Sequence, residues 1–249
     1  MPRHRGPVLA ARDGGCVSTN LSCQAQWRRG AGVSVYTPDS HEETNVLVLQ
    51  ALIQAHPLGT WATQGDGELI VNHIPFLLSP SRGELGTLTG HVARANDVWR
   101  SFSKTVPSIV VFQGPEAYIT PSWYPSKRDH GKAVPTWNYV VVHAQGLPRV
   151  FDDRARLLEH LNELTNVHEA RQPMPWKLAD APAAYTERLI EHIVGIEIPI
   201  DRLVWKWKVS QNRPQADRLG VVAGLLAKED TESAKMAALV DRQAGPDRG

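Results

Sequence analysis

From residue 58 onward, the sequence is built from short runs in which apolar and polar residues alternate with a period of two. Four such runs, LGTWATQ, GELIVNHIPFLL, GELGTLTGHV and PSIVVFQG, follow one another between residues 58 and 114. Turn-forming segments rich in Gly, Asp, Ser and Pro separate them, together with one helix-like stretch, ANDVWRSF. Alternation of this kind, bounded by such turns, is typical of antiparallel strands. The pattern therefore predicts an antiparallel meander.

Later segments add further strands and several helices. EAYITPSWY, VPTWNYVVVHAQGLPRVF and GIEIPIDRLVWKWKVS alternate as strands do, and the charged loop PSKRDHGKA predicts an exposed, mobile flap. DDRARLLEHLNELTNVHE, AAYTERLIEHIV and the C-terminal PQADRLGVVAGLLAKEDTESAKMAALVDRQ have helical spacing. Six or more strands with few helices favour a closed sheet, because closure removes unpaired strand edges. We expect a mainly β (α+β) fold, a β-barrel with peripheral helices and a C-terminal helix.

The N-terminal segment differs from the rest of the chain. Residues 1–34 are rich in Arg, Gly and Ser. They show neither the apolar period of a helix nor that of a strand, which is typical of an unfolded extension. A capping box formed by Ser40 and Glu43 predicts the start of a first helix, which Pro57 ends. We expect three segments: a disordered leader at 1–34, the barrel domain at 35–213, and a C-terminal helix and tail at 214–249.

Composition and charge count against several classes of function. Lys and Arg number 27 against 26 for Asp and Glu, so no overall field drives the chain toward nucleic acid or an anionic membrane. No apolar run reaches the roughly 20 residues that span a bilayer, and the leader lacks a signal peptide's apolar core, which predicts a cytoplasmic protein. Cys16 and Cys23 both lie in the leader and are expected to be free thiols. The histidines form no HxH or HxxxH pair, so no metal site is predicted.

A candidate anion site lies where TGHVARANDVWRSF passes from strand to helix. The predicted strand ends at Gly90, and Asn96 or Asp97 can cap the helix that follows. Backbone N–H groups at a helix start, joined by the guanidinium of Arg94, bind phosphates well. The alternative is an ordinary capped turn with a solvated arginine.

Two aromatic segments have the composition of a surface for a flat heteroaromatic ring. YITPSWY contains Ser122 and Trp123, and VPTWNY contains Trp137 and Asn138; each pairs a proline with Trp and Tyr near a strand end. A ring can stack on such side chains, and the Asn138 amide can reach its polar edge. The alternative is that both tryptophans are core residues whose N–H groups bond to loop carbonyls.

A basic and aromatic segment, WKWKVSQNRPQAD, ends the last predicted strand. Alternation places its two tryptophans on one face and Lys206 and Lys208 on the other, with Gln211 and Arg213 just beyond the strand end. Single-stranded nucleic-acid surfaces have a similar composition. The near-neutral charge and the presence of only one such stripe count against that interpretation.

The order of these motifs resembles one known family. YTPDSH, VNHIPFLL, TGHVARANDVW, FQGPEAYITPSWY, VPTWNYVVVHAQG and KVSQNRPQAD are similar to the successive motifs of the PaiB-type FMN-binding negative transcriptional regulators, from about Tyr36 to near the C-terminus. The resemblance implies an FMN-binding split β-barrel like that of pyridoxamine-phosphate oxidases. It also implies a homodimer with FMN at the subunit interface and a role in repressing genes for extracellular proteases and sporulation.

The resemblance further assigns residues to the cofactor. It puts the FMN phosphate on the strand-to-helix turn and the flavin ring against the VPTWNY strand, with the SQNR segment closing the site from the same chain or its partner. The implied cofactor-binding residues are His91, Arg94, Asn96, Ser122, Trp123, Trp137, Asn138, Gln211 and Arg213. Family members begin near a Met-Tyr pair, where this chain has Val35 and Tyr36. The leader is therefore expected to be over-annotated upstream sequence or an added extension.

Three classes of function remain open. The first is an FMN-binding regulatory protein, and the second is a flavin-dependent oxidase, reductase or haem-degrading enzyme on the same barrel. The third, a flavin-free DNA-binding repressor, lacks a helix-turn-helix pattern or a basic recognition helix, which argues against direct DNA binding. For an enzyme, His130 and Lys132 on the flap are the candidate acid–base groups, but flavin chemistry needs no protein nucleophile.

Overall fold

The computed structural model describes residues 45–65 and 67–242. The predicted leader, its cysteines and the predicted capping box lie outside these residues. Helix α1 spans Val46–Ala55, and its cap is Asn45, whose side-chain oxygen accepts a hydrogen bond from the Leu47 N–H at 3.0 Å. His56 follows the last turn and Pro57 comes next, so the helix ends where the sequence predicted.

Nine strands in the described part of the chain form two antiparallel sheets. They are β1 (Leu58–Gly65), β2 (Glu68–Pro75), β3 (Leu77–Ser79), β4 (Thr87–Ala93), β5 (Ser108–Ile119), β6 (Thr136–Gly146), β7 (Arg149–Phe151), β8 (Ile193–Pro199) and β9 (Arg202–Lys208). The larger sheet has the order β2-β1-β5-β6-β9, and the smaller sheet has the order β3-β4-β8-β7. The predicted runs PSIVVFQG and EAYIT belong to one strand, β5, whose register shifts between Gln113 and Glu116.

The two sheets enclose one apolar core. Buried residues alternate with more exposed ones on β1, β5 and β6 of the larger sheet, as Val140 and Val142 do on β6. On the smaller sheet β4 and β8 are buried on both faces, and Leu88 of β4 belongs to the core. Phe76 and Phe112 meet edge to face in this core, with ring centroids 6.2 Å apart. This arrangement is a split β-barrel, so the predicted mainly β (α+β) fold class is confirmed.

Six further described helices surround the barrel. They are α2 (Val98–Ser101), α3 (Lys127–His130), α4 (Arg154–Glu169), α5 (Ala183–Ile190), α6 (Gln215–Leu226) and α7 (Thr231–Arg242). The single C-terminal helix predicted from the sequence is two helices. Glu229 adopts a left-handed φ of 57°, and the Asp230 carboxylate accepts a hydrogen bond from the Ser233 N–H at 2.7 Å to start α7. No helix of residues 45–65 and 67–242 has the length and apolar character needed to cross a bilayer.

The predicted flap is anchored to the fold and contains α3. The Ser126 N–H and hydroxyl donate to the two carboxylate oxygens of Asp217 on α6, at 3.0 and 2.6 Å. Asp217 is almost fully buried, so the contact holds the segment against the barrel. Most of the segment's described side chains are exposed, as the sequence predicted, and its mobility stays a prediction. A buried carboxylate 91 residues away anchors its start.

Helix α4 covers the outward face of the smaller sheet. Leu157 on α4, Phe151 on β7 and Ile190 on α5 form a second small apolar cluster. The Phe151 ring occupies the space of a side chain at Gly195, where a Cβ atom would lie 2.2 Å from it. This packing leaves the polar outward residues of β4 and β8 facing α4.

Candidate functional site

Arg94 follows β4 and is held by several internal partners. Its Nη1 and Nη2 donate to the two carboxylate oxygens of Asp152 at 2.8 and 2.5 Å. Its Nε donates to the Glu191 carbonyl at 2.8 Å, and Nη2 donates to the Ile193 carbonyl at 2.9 Å. The hydrogen bond from Arg94 lowers the pKa of Asp152. The guanidinium ties the ends of β4, β7 and β8 together, and its predicted phosphate contact stays a prediction.

Asn96 precedes the helix α2, whose N-cap is Asp97, the second of the two capping residues that the sequence offered. The Asn96 side-chain oxygen accepts a hydrogen bond from the Val98 N–H at 3.1 Å. Its amide nitrogen donates to the Asn72 side-chain oxygen on β2 at 2.8 Å. Both ends of the Asn96 side chain are therefore bonded within the protein, and its phosphate role also stays a prediction.

His91 faces α4 and is paired with a second histidine. Its Nδ1 lies 3.1 Å from Nε2 of His160, and the rings meet edge to face. Burial lowers the pKa of His91. Burial, and then the charges of His91 and Arg156, lower the pKa of His160 to about 4. Both rings are therefore neutral at pH 7, so the pair supplies hydrogen bonds and no fixed positive charge for a phosphate.

Trp137 and Asn138 lie on opposite faces of β6. Trp137 is 46% exposed, and its Nε1 donates to the Glu116 carboxylate at 3.2 Å. Asn138 is 1% exposed and faces inward. Because neighbouring residues of a strand point to opposite sides, a ring stacked on Trp137 does not meet the Asn138 amide on that face. The outward position favours Trp137 as a ligand surface, whereas the cofactor contact of Asn138 stays a prediction.

Asn138 takes part in a strained, buried polar contact. Its amide nitrogen donates to the Ser210 hydroxyl at 2.8 Å, while its oxygen has no hydrogen-bond partner among the described residues. Ser210 has a left-handed φ of 62°, which non-glycine residues rarely adopt. Backbone strain and an unpaired buried acceptor are enriched at functional sites.

The SQNR segment forms a turn beside this contact. The Arg213 N–H donates to the Ser210 carbonyl at 3.0 Å, and the Arg213 guanidinium lies 4.7 Å from the centroid of the Tyr124 ring. The Gln211 side chain folds back, and its oxygen accepts a hydrogen bond from the Val209 N–H at 2.7 Å. The segments PSWY, VPTWNY and SQNR therefore meet at one place. Asn138 contacts Ser210, the first residue of the segment that also carries Gln211 and Arg213. The cofactor roles of Gln211 and Arg213 stay predictions.

Trp123 packs against α6. A Cβ atom at Gly224 would lie 2.3 Å from its ring, and Lys228 Nζ lies 5.4 Å from the ring centroid. Ser122 is exposed, and its N–H donates to the Thr120 hydroxyl at 3.3 Å. These contacts match the structural alternative for Trp123. The cofactor roles of Ser122 and Trp123 stay predictions.

Lys206 and Lys208 lie on the outward face of β9. The sequence analysis did not assign them to the cofactor. Lys208 pairs across the sheet with Tyr139, and its Nζ donates to the Thr136 hydroxyl at 2.6 Å. Lys206 Nζ lies 5.8 Å from the centroid of the Tyr139 ring. The alternation of Trp and Lys in WKWK indicated that both lysines share one face of the strand, and this pattern could have identified them as a candidate anion site.

Positive charge is concentrated at this end of β6 and β9. Burial, and then the nearby charges of Lys206 and Arg213, lower the pKa of Lys208. We call the surface formed by the outward residues Trp137, Tyr139, Lys206 and Lys208, together with Arg213 at the turn that follows β9, the cationic end. An anion placed there would relieve the repulsion between the cations and form charge-assisted hydrogen bonds with them.

The cationic end fits the chemistry of FMN. A phosphate needs cationic donors, which Lys208 and its neighbours supply, and an isoalloxazine ring needs a flat apolar surface, which Trp137 and Tyr139 supply on the same face. No group of three or more metal-binding side chains occurs among residues 45–65 and 67–242. The chemistry of the donors therefore favours an aromatic phosphate ester over a metal ion.

A split β-barrel with a cationic and aromatic surface has the chemistry that suits a flavin, and sequence comparison gives the family. Residues 35–202 match a family model described as "Putative FMN-binding domain". The chain belongs to this family, and the PaiB-type resemblance is confirmed. The match supports FMN, or a flavin, as the cofactor.

Relatives match over most of their length. A protein of Bacillus subtilis named "Protease synthase and sporulation protein PAI 2" is 30% identical over 207 residues, which are 83% of this chain and 97% of that protein. An uncharacterised protein of Emericella nidulans is 34% identical over 246 residues, 85% of this chain and 98% of that protein. A solved FAD- and haem-binding protein of Mycobacterium smegmatis is 18% identical, with a TM-score of 0.49 and coverage of 67% of this chain and 72% of that one.

Proposed function

We propose that the protein is an FMN-binding regulatory protein whose cofactor lies on the cationic end. In this proposal Lys206, Lys208 and Arg213 hold the phosphate, and Trp137 and Tyr139 carry the ring. The observation that carries the proposal is the position of Lys206 and Lys208 on the same outward face as Trp137 and Tyr139, with Lys206 Nζ 5.8 Å from the centroid of the Tyr139 ring. Burial, and then the charges of Lys206 and Arg213, lower the pKa of Lys208. When bound, FMN supplies hydride and electron transfer at its ring, while the side chains of this chain bind it and orient it.

The β4 turn is the second candidate position for the phosphate. His91, Arg94 and Asn96 come from the family resemblance, but their side chains are bonded to His160, Asp152 and Asn72. Use of this turn requires those bonds to open. At the cationic end the bond that an anion must replace is weaker, because Lys208 donates to the neutral Thr136 hydroxyl whereas Arg94 donates to a carboxylate, and this difference favours the cationic end.

We further propose that the protein is a homodimer formed through the outward face of the larger sheet. Exposed apolar residues on this face support the proposal. They are Leu58, Leu69, Val71, Tyr118 and Trp137, which are between 45% and 74% exposed. Contiguous exposed apolar surface on a soluble protein is typical of an interaction site. A second copy on this face would cover the ring position at Trp137 and exclude water from it.

The dimer is tested by measuring molar mass in solution by light scattering. Val71→Lys on β2 should shift the protein toward the monomer, because the introduced charge would be buried at the contact. Val167→Lys on α4 is the control, since Val167 is 57% exposed and lies on a helix away from the larger sheet. A monomeric parent protein, or a dimer unaffected by Val71→Lys, would contradict this interface.

The regulatory role is supported by the Bacillus relative, whose name refers to protease synthesis and sporulation. We propose a cytoplasmic negative regulator that acts through its flavin and another protein rather than by contacting DNA. The C-terminal segment has mixed charge, which does not suit an operator-binding helix. The charged residues of this segment include Lys228, Glu229, Asp230, Glu232 and Lys235. A mobility-shift titration with promoter DNA should show no binding at physiological salt.

A flavin-dependent oxidase, reductase or haem-degrading enzyme is the second candidate function. The strained Ser210 and the unpaired oxygen of Asn138 favour it, because such features occur at reacting sites. Turnover of NADH or NADPH by the FMN-loaded protein, followed by absorbance, separates the two functions. Steady multiple turnover supports the enzyme, and its absence supports the regulator.

The cofactor site is tested by titrating FMN into the full chain and following flavin fluorescence. The double variant Lys206→Gln/Lys208→Gln should bind FMN at least about tenfold more weakly, which corresponds to about 1.4 kcal/mol. Arg202→Gln removes one charge from the same strand and should leave the affinity within about threefold. If both variants lose affinity equally, or neither does, the cationic end is not the phosphate site.

A further inference from the structure

A cavity of about 760 Å³ lies between α4 and the outward face of the smaller sheet. Its volume is within the range of small-molecule sites, which span about 300–1,000 Å³. Its lining includes Arg82, Thr89, Arg156 and His160, and none of its lining residues belongs to the cationic end. It is therefore a separate candidate site.

Two arginines share one buried carboxylate at this cavity. Arg82 Nη2 lies 2.5 Å from the Glu197 carboxylate, and Arg156 Nη2 donates to the same oxygen. Glu197 is 8% exposed, whereas the two arginine side chains are 49% and 38% exposed. Each guanidinium has five N–H groups, so donors remain on both after the contact with Glu197. The group carries a net charge of +1, which suits one added carboxylate.

His160 forms part of the cavity wall and is held by His91. The residue is 4% exposed, and its Nε2 lies 3.1 Å from Nδ1 of His91. Its own Nδ1 has no hydrogen-bond partner among the described residues and has almost no accessible surface, so a ligand in the cavity does not contact it. Recognition in this cavity therefore depends on the charged side chains of the lining.

Carboxylates also line the cavity along α4. Glu159 lies about one turn beyond Arg156 and Glu163 about one turn further, and both are exposed. Arg156 and Glu163 are seven residues apart, which is about 10 Å along a helix. Three residues of extended peptide also span about 10 Å. A tripeptide therefore matches the separation between Arg156 and Glu163.

We propose that this cavity binds a short zwitterionic peptide of about three residues. Its terminal carboxylate contacts Arg82 and Arg156, and its terminal ammonium contacts Glu163. A single amino acid is too short to reach from Arg156 to Glu163. A polyanion is repelled by the carboxylates of Asp153, Glu159 and Glu163, which also line the cavity.

The probe for this site is trialanine, titrated calorimetrically into the full chain alongside trialanine amide and N-acetyl-trialanine. Trialanine should bind, and each capped peptide, which lacks one terminal charge, should bind at least about tenfold more weakly. Arg156→Gln should weaken trialanine to the level of the amide. Arg154→Gln is the matched control, because Arg154 is exposed and pairs with Glu187 at 2.7 Å outside the cavity.

Glu163→Gln provides a second variant on an exposed side chain that is not expected to disturb folding. It should weaken trialanine but leave N-acetyl-trialanine unchanged, because that peptide has no ammonium to lose. No binding of trialanine, equal binding of the capped peptides, or tighter binding of inorganic phosphate would overturn the proposal. Unchanged FMN affinity in Arg156→Gln is the expected sign that this cavity and the proposed cofactor site are independent.

Discussion

Mild acid should destabilise the protein through His160. The folded-state pKa of this histidine is about 4, against 6.5 for the free side chain, because burial and the charges of His91 and Arg156 disfavour its protonation. Between these two values the unfolded chain binds a proton that the folded chain does not, so stability falls as pH decreases from 6.5 toward 4. Lowering the pH from about 7.5 to about 5 should cost about 2 kcal/mol from His160 alone. The lowered pKa of His91 acts in the same direction.

Urea unfolding at the two pH values measures this loss directly. His160→Gln removes the titrating group, so the variant should lose about 2 kcal/mol less than the parent between the two conditions, whatever its stability at neutral pH. His168→Gln is the control on the same helix, where the side chain is exposed, and it should keep the parent's pH dependence. An identical pH-dependent loss in His160→Gln and the parent would refute the assignment to His160.

Three further substitutions test particular contacts. Gly224→Ala should destabilise the protein by about 1–3 kcal/mol in urea unfolding, because the new methyl group overlaps the Trp123 ring; a neutral or stabilising effect would contradict the packing. Asn138→Leu should lower apo stability by about 1 kcal/mol through loss of the Ser210 contact, with an unchanged FMN-induced shift in melting temperature. Intact apo stability with a lost FMN shift would instead assign Asn138 to the cofactor. Arg94→Ala should lower the melting temperature while FMN affinity changes by less than about tenfold, and a larger loss of affinity would restore this residue as the phosphate ligand.

Local sequence patterns predicted the strands well. The helix boundaries that differ from the prediction do so because of single residues. Period two identified the barrel because buried and more exposed residues alternate on β1, β5 and β6. The C-terminal helix was predicted as one piece, since Glu229 is an ordinary helix residue and nothing in the sequence marks its left-handed φ of 57°. The start of α1 was assigned to Ser40, whereas the side chain that caps the described helix is Asn45.

The site was harder to predict because its contacts join distant parts of the chain. The meeting of PSWY, VPTWNY and SQNR depends on the pairing of β6 with β9, and family motifs indicated it where spacing alone did not. Arg94 appeared to be a free cation in the sequence, yet its carboxylate partner, Asp152, lies 58 residues away. Lys206 and Lys208 were visible as one face of a strand. An anion site also needs Arg213 near Lys208. The turn at Ser210 brings the two residues together.

If the phosphate of FMN lies on the cationic end, FMN should bind more tightly than riboflavin and the difference should depend on the lysines of β9. Riboflavin has the same ring and ribityl chain but no phosphate. The parent protein should bind FMN at least about tenfold more tightly than riboflavin, and Lys208→Gln should remove most of that preference while leaving riboflavin affinity unchanged. A preference for FMN over riboflavin that survives in Lys208→Gln would show that the phosphate does not lie on the cationic end.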